Sequence, residues 1–427
     1  MQIKKYFHIL SLLIFFTSIH LTKAQVKPEL VLPIGHTSFV FSAVYNANGS
    51  QIVTASWDNT ARIWEAQSGE LLHALEGHTS RVFSAEYNAT GSQLATASGD
   101  HTAIIWDAQS GEPLHTLEGH TKWVNSAYFN AKGSQIVTAS GDRTARIWDA
   151  QSGELLHTLE GHTNSVNSAV YNATGSQIVT ASDDGTARIW DASTGKLLHN
   201  LKGHTELVRS AEFNANGTQI VTVSDDHTAR IWDAQSGNLL HTLAGHEEGV
   251  NSAYFNAKGS QIVTASDDGT ARIWDAQSGE LLHTLSGHEE GVYSAEYNAT
   301  GNQIVTASDD GTARIWDAST GKLLHSFEGH EEGVLSAVYN ANGSQIITAS
   351  WDNTARIWEA QSGELLHTLE GHTNSVNSAV YNATGSQIAT ASGDHTAIIW
   401  DAQSGEPLHT LEGHTKWVNS AYFNAKG

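Results

Sequence analysis

The chain has 427 residues, among them 45 acidic and 22 basic ones, and carries a formal net charge of −23 with no cysteine. The lack of cysteine excludes disulfides, zinc–thiolate sites and thiol nucleophiles. The acidic balance argues against nucleic acid as a partner, because phosphate binding needs a stripe of lysines and arginines.

Residues 1–24 predict a signal peptide. Lys4 and Lys5 precede the apolar run Ile9–Leu21, and the small residue Ala24 ends the segment. This order of charge, apolar run and small residue is typical of an export signal, and the run is short for a membrane span. An uncleaved anchor is the alternative. We therefore expect an exported protein, either secreted, periplasmic or at the cell surface, with no stable membrane span in the mature chain.

Residues 25–34 predict a linker that ends in a strand-like segment, Glu29–Ile34. A Gly-His pair follows directly and then recurs every 42 residues with no insertion. The glycines of these pairs are Gly35, Gly77, Gly119, Gly161, Gly203, Gly245, Gly287, Gly329, Gly371 and Gly413. A strict period of this size is typical of stacked supersecondary units.

One unit contains four strand-like runs rich in Val, Ile, Thr, Tyr and Trp. In the fourth repeat they are Val166–Asn172, Gln177–Ser182, Thr186–Asp191 and Lys196–Leu201. Turns with glycine, asparagine and aspartate separate them, which favours a four-stranded sheet. One such sheet cannot bury both of its faces alone, but several sheets stacked around an axis can.

The period and the Gly-His…Trp-Asp bracket resemble the WD-repeat β-propeller family over about residues 29–427. The resemblance implies an all-β fold of four-stranded antiparallel blades, with a structural hydrogen-bond tetrad in each blade. Examples of this tetrad are His36, Ser56, Asp58 and Trp64; His78, Ser98, Asp100 and Trp106; and His246, Ser266, Asp268 and Trp274. Glu65 and Glu359 depart from the pattern by replacing the Asp after Trp. Nine copies of Ser, His and Asp beside Trp favour a scaffold over a catalytic triad.

A longer period predicts the number of blades. Repeat eight copies the peculiarities of repeat one, so that Trp351 repeats Trp57 seven units later. We therefore expect a seven-bladed ring over residues 35–328 and the start of a second propeller over 329–427. One wider ring of nine or ten units, or an open array, is the alternative. By family resemblance, Glu29–Ile34 is the candidate closing strand. Since the sequence stops inside a repeat, we expect it to be a fragment of a longer protein.

Differences between repeats fall largely at one rim, where the loop after Gly-His and the Ser-x-Asp turn are expected to meet. In the resembled family these positions usually touch partners. Repeats one to three predict an aromatic sector, copied once in repeat eight: Phe39, Phe41, Trp57, Arg81, Phe83, Trp123 and Trp351. Repeats four to seven predict an acidic sector, together with two residues that begin first strands: Asp183, Asp225, Asp267 and Asp309, with Arg209 and Tyr293. The alternative is that these residues serve only turn chemistry and blade packing.

These features predict a non-catalytic scaffold that binds a protein or peptide, with a cationic partner favoured by the acidic sector. Two alternatives remain open: sugars stacked on the aromatic residues, and an enzyme with its site at the channel mouth. No cofactor is expected, and the histidines of the repeats are spread one to three per repeat rather than clustered as metal ligands. Asn-Ala-Thr motifs begin at Asn88, Asn172, Asn298 and Asn382, and these would accept glycans only in a eukaryotic secretory pathway.

Overall fold

The computed structural model of the protein describes residues 40–45, 51–65, 71–382 and 384–411. The predicted signal peptide, the candidate closing strand Glu29–Ile34 and the residues His36 and Phe39 lie outside these ranges. Within them, no helix is long and apolar enough to cross a bilayer.

The described residues form 36 strands, four in each of nine repeats. The first strands are β1 (Val40–Tyr45), β5 (Val82–Tyr87), β9 (Val124–Phe129), β13 (Val166–Tyr171), β17 (Val208–Phe213), β21 (Val250–Phe255), β25 (Val292–Tyr297), β29 (Val334–Tyr339) and β33 (Val376–Tyr381). The second strands are β2 (Gln51–Ser56), β6 (Gln93–Ser98), β10 (Gln135–Ser140), β14 (Gln177–Ser182), β18 (Gln219–Ser224), β22 (Gln261–Ser266), β26 (Gln303–Ser308), β30 (Gln345–Ser350) and β34 (Gln387–Ser392).

The third and fourth strands of the repeats complete each sheet. The third strands are β3 (Thr60–Glu65), β7 (Ala103–Asp107), β11 (Ala145–Asp149), β15 (Thr186–Asp191), β19 (Thr228–Asp233), β23 (Thr270–Asp275), β27 (Ala313–Asp317), β31 (Ala355–Glu359) and β35 (Ala397–Asp401). The fourth strands are β4 (Leu71–Glu76), β8 (Pro113–Leu117), β12 (Leu155–Leu159), β16 (Leu197–Lys202), β20 (Leu239–Ala244), β24 (Leu281–Ser286), β28 (Leu323–Phe327), β32 (Leu365–Leu369) and β36 (Pro407–Leu411).

Each repeat folds into its own antiparallel meander of four strands, which we call a blade. The strands of the fourth repeat match the four runs expected from the sequence to within one residue at each end. The second strand β14 is buried at every position after Gln177, whereas the fourth strand β16 exposes Leu197 and Leu198. The apolar run therefore becomes an inner strand. Gly175 and Gly185 form the turns beside β14 with φ of 71° and 76°, a conformation that glycine adopts at little cost.

Each pair of neighbouring blades shares a hydrophobic core, and the same strand positions contribute to it in every pair. Between blades one and two, Val53, Ala55 and Ile63 of one sheet pack on Leu94 and Trp106 of the next. Equivalent clusters join every later pair of neighbours up to blades eight and nine. The cores therefore lie between blades rather than inside them, as expected for a propeller.

The prediction of a seven-bladed ring followed by the start of a second propeller is wrong. Ala389, Ala391 and Ile399 of blade nine pack against Trp64 of blade one, and Trp64 is 1% exposed. Trp64 thus takes the place that Trp106 takes between blades one and two. This contact closes a single ring of nine blades, so blades eight and nine belong to the same propeller as the first seven. Among the alternatives drawn from the sequence, the wider ring agrees with the structure.

Candidate interaction face

In blades two to nine, a hydrogen-bond relay fixes one turn of the rim. In blade two, Trp106 Nε1 donates to Thr96 Oγ1 over 2.9 Å, and Thr96 Oγ1 lies 2.7 Å from His78 Nε2. His78 Nδ1 lies 2.9 Å from Asp100 Oδ2. Because the indole can only donate and the carboxylate can only accept, the Thr96 hydroxyl donates to His78, which then donates to Asp100. Thr96 and Trp106 are both completely buried.

The residue that links His to Trp is therefore a threonine, which the sequence analysis missed, and not the serine that it placed there. Ser98 has another role: its hydroxyl accepts from the Asp100 amide over 3.1 Å and donates to the Ser80 carbonyl over 3.0 Å. The other predicted tetrads show the same arrangement, with threonine bonded to Trp and serine bonded to the Asp amide. Thr54 accepts from Trp64 while Ser56 accepts from the Asp58 amide, and Thr264 joins His246 to Trp274 while Ser266 accepts from the Asp268 amide.

The Asp of the relay is held as a carboxylate. Burial raises the pKa of Asp100, but hydrogen bonds from His78, Thr102 and the Thr79 amide outweigh burial and leave that pKa well below its usual range. In blade three, burial lowers the pKa of His120, and its bond to Asp142 offsets this only in part. In blade three, an ionised Asp142 therefore lies beside a neutral His120 and anchors the turn.

Two backbone features bring the variable positions together at this rim. The turn residue before the relay Asp donates its amide to the loop after Gly-His, as in Gly99 to Arg81 (2.7 Å) and Gly141 to Trp123 (3.0 Å). A β-bulge at the start of the first strand shifts the register of the pairing, for example between Val82 and Ser84, where Phe83 is the bulged residue. Bulges re-aim side chains, and here the bulged residue lies beside the turn.

The bulged residues contact the acidic turns directly. Asn167 donates to Asp183 over 2.7 Å, and Asn251 donates to Asp267 over the same distance. Arg209 forms an ion pair with Asp225. Burial, and then the charge and hydrogen bond of Asp309, raise the pKa of Tyr293. The acidic sector is thus partly neutralised at Asp225, while Asp267 remains exposed.

The aromatic sector divides into paired and exposed rings. The Arg81 guanidinium lies 3.8 Å from the ring centre of Trp57. Trp123 is 44% exposed, with Lys122 Nζ 5.6 Å from its ring centre. Phe83 is half-buried, and the side chain of Phe41 lies outside the described part of the structure. Trp351, in blade eight, is 41% exposed and follows the acidic sector on the same ring.

Comparison with known families decides what this ring is. The family model described as "WD domain, G-beta repeat" (WD40) matches residues 27–65, 69–107, 111–149, 153–191, 195–233, 237–275, 279–317, 321–359 and 363–401. The chain belongs to the WD40 repeat family. Propellers of this family generally bind proteins and generally lack catalytic activity. A comparison with curated protein sequences returned no significant match.

Among solved structures, the WD40 ring is similar to the crystal structure of the computationally designed Ika8 protein. The two are 27% identical with a TM-score of 0.62, over 76% of this chain and 98% of the designed one. The similarity supports the propeller architecture.

Three glutamates near the axis of the WD40 ring were not assigned a role by the sequence analysis. Glu86, Glu212 and Glu296 share the fourth sequence position after Val in their first strands, where other blades carry valine or tyrosine. Burial raises the pKa of Glu86 to about 7. Burial, and then the charge of Glu212, raise the pKa of Glu296 to about 7. The signal that could have found them is a carboxylate in an otherwise apolar innermost strand.

Glu212 also lines a cavity of about 520 Å³ between the innermost strands of blades five and six. Arg209, Asn251 and Tyr254 line the same cavity. In the described residues, no group of three or more His, Asp and Glu side chains is placed to hold a metal ion. The cavity opens beside the acidic sector, so its polar groups extend that sector toward the axis.

Proposed function

We propose that this WD40 propeller is an exported, non-catalytic scaffold that binds a protein or peptide on the rim carrying the aromatic and acidic sectors. The observation that supports it most is that one rim carries the exposed rings of Trp123 and Trp351 together with the exposed carboxylate of Asp267. Tryptophan and arginine in such a position are typical of binding hot spots. Carboxylates beside them attract a cationic partner and set its orientation.

The relay supports the same proposal. In the described blades from two to nine, the His and Asp of the rim are bonded to each other, as are His78 to Asp100 and His372 to Asp394. These groups hold the turns rigid and display the variable residues. A rigid display loses little conformational freedom on binding, which favours recognition of partners.

A pull-down with variants of each sector tests the proposal. Immobilised protein, purified from the culture medium of its host, is exposed to extracellular extract, and captured proteins are counted by mass spectrometry. Trp123→Ala and Asp267→Asn are expected to reduce capture of the same partner. Lys132→Ala, an exposed change in the turn between β9 and β10, lies at the opposite end of the blade and is the control.

Trp123 and Trp351 expose enough ring surface for a sugar to stack on. A glycan array run in parallel separates this second candidate from the first. Capture of glycans that is lost with Trp123→Ala, together with no capture of protein, would contradict the protein-binding proposal. Retention of the signal peptide is checked separately by sequencing the N-terminus of the mature protein.

A further inference from the structure

The rim contains an internal example of a guanidinium group stacked on a tryptophan. Trp57 lies in the turn of blade one, and Arg81 reaches it from the first loop of blade two. The distance of 3.8 Å from guanidinium carbon to ring centre is that of stacking. The variable positions of two neighbouring blades can therefore form an arginine–tryptophan pair with this backbone.

Trp351 occupies the same turn position in blade eight, but its neighbour differs. Ser375 stands in blade nine where Arg81 stands in blade two, and a serine cannot place a cation over the ring. Trp351 is accordingly 41% exposed, whereas Trp57 is half-buried. On the other side, Tyr293 of blade seven contacts Trp351 with ring centres 6.2 Å apart and planes at 59°. Trp351 thus has no internal arginine on the side of blade nine, and it contacts an aromatic ring on the side of blade seven.

The surroundings of Trp351 are strongly acidic. The ring lines a cavity of about 550 Å³ between blades seven and eight, together with Glu289, Glu290, Asp309, Glu331 and Glu332. The four glutamates are exposed, and no lysine or arginine lines the cavity. Asp310 also lines it but is bonded to His288 as part of the relay. The cavity therefore has no cationic side chain in its lining, while carboxylates that would favour a cation are abundant.

We propose that the cavity at Trp351 binds the guanidinium group of an arginine side chain from a partner protein. The proposal rests on the proposed function and names the chemistry of its partner. The guanidinium stacks on Trp351 as Arg81 stacks on Trp57, and its five N–H groups donate to the carboxylates around it. The planar guanidinium suits this site better than an ammonium group, because it both stacks and forms forked hydrogen bonds.

Peptides of one sequence that differ at a single central residue test the ligand. The probe is a fluorescein-labelled peptide with arginine, citrulline or lysine at that place, titrated against the full chain by fluorescence anisotropy. Citrulline keeps the planar shape and removes the charge. We expect the arginine peptide to bind best and its affinity to fall with salt, since exposed carboxylates are screened. Equal binding of the citrulline or the lysine peptide would overturn the assignment.

Two variants test the place. Trp351→Ala is expected to weaken binding of the arginine peptide about two- to thirtyfold, the range of a cation–π contact. Ser375→Arg restores the arrangement of blade two, so its own guanidinium should occupy Trp351 and weaken binding to a similar extent. Leu366→Ala, an exposed change on the outer strand of blade eight, is the control with unchanged binding. Unchanged affinity in Ser375→Arg would contradict the proposal even if Trp351→Ala were poorly folded.

The outcome separates this proposal from the broader one. If neither variant changes binding of the arginine peptide, while Trp123→Ala still abolishes capture of a protein partner, the cavity at Trp351 is not an arginine site and the scaffold function stands. If capture of proteins by the rim fails altogether while the arginine peptide responds to both variants, the site stands and the rim-wide function is wrong.

Discussion

The buried threonine at the centre of the relay gives the sharpest prediction about stability. Thr96→Val keeps the shape of the side chain and removes its hydroxyl, which leaves Trp106 Nε1 and His78 Nε2 without the partner that each has at 2.9 and 2.7 Å. An unsatisfied buried group costs about 1–3 kcal/mol. With two such groups, we expect the free energy of unfolding to fall by about 3 kcal/mol.

The assay is urea unfolding followed by tryptophan fluorescence, with two controls. Thr96→Ser retains a hydroxyl and should recover most of the loss. Thr116→Val makes the same chemical change at an exposed site of β8 and should change the free energy of unfolding by less than about 0.5 kcal/mol. Comparable stability of Thr96→Val and Thr116→Val would refute the relay.

A double-mutant cycle distinguishes the threonine from the serine two residues later. Thr96→Val combined with Trp106→Phe should show a coupling of about 1 kcal/mol or more, because the two side chains share a hydrogen bond. Ser98→Ala combined with Trp106→Phe should be additive within about 0.5 kcal/mol, since Ser98 bonds to Asp100 and Ser80 instead. Coupling through Ser98 and none through Thr96 would restore the serine tetrad drawn from the sequence.

Three further predictions concern pH, backbone and glycans. Burial raises the pKa of Glu86 from 4.5 to about 7, so between these pH values the folded state binds a proton that the unfolded chain has lost, and the free energy of unfolding falls as pH rises. Glu86→Gln should remove up to about 3 kcal/mol of that fall, measured by urea titrations at several pH values. The control Glu112→Gln should leave the fall unchanged. Gly161→Ala would put a methyl group against the Arg188 guanidinium at φ 142° and should lower the thermal midpoint more than Gly371→Ala, whose new methyl group meets only side-chain carbons. Asn88 is 6% exposed and its Oδ1 accepts from the Ser92 amide, so the folded protein secreted from a eukaryotic host should carry no glycan there, and an occupied site in glycopeptide mass spectrometry would contradict the buried turn.

The blade could be predicted from the sequence because its signals are local. The runs of one unit match β13 to β16 to within one residue, and Gly175, Gly185 and Gly195 in the turns between them have positive φ. Each of these features depends on residues less than one unit apart. The meeting of the loop after Gly-His and the Ser-x-Asp turn at one rim could also be predicted, because every second turn of an antiparallel meander lies at the same end of the sheet.

The number of blades could not be predicted in the same way. Trp64 meets blade nine with the surface that Trp106 uses to meet blade one, so every interface has nearly the same residues. Seven and nine blades differ by a rotation per blade of about 51° against about 40°, which near-identical repeats do not encode in any single residue. The similarity of repeat eight to repeat one shows that the sequence has a period of seven units. This period does not determine which blades meet when the ring closes.

The relay residue was missed for a related reason. Each second strand ends in Thr-Ala-Ser or a close variant, so that Thr96 and Ser98 both offer a hydroxyl in every repeat. Repetition makes the two equally constant, and only the geometry shows that Thr96 lies between His78 and Trp106. Glu86 differs from the valine or tyrosine that most other blades carry at its position, but the burial that raises its pKa depends on neighbouring blades that the sequence does not place.

Closure of nine blades in one ring is the central claim, and distances between spin labels test it most directly. The chain has no cysteine, so pairs of engineered cysteines at one exposed leucine position of the fourth strand can be labelled specifically: Leu72, Leu198, Leu240, Leu324 and Leu408. The pair in blades four and five, Leu198 and Leu240, gives the distance between neighbours. A nine-bladed ring predicts the same distance between Leu72 and Leu408, and a longer one between Leu72 and Leu324. The neighbour distance between Leu72 and Leu324, with a longer distance to Leu408, would contradict the nine-bladed ring.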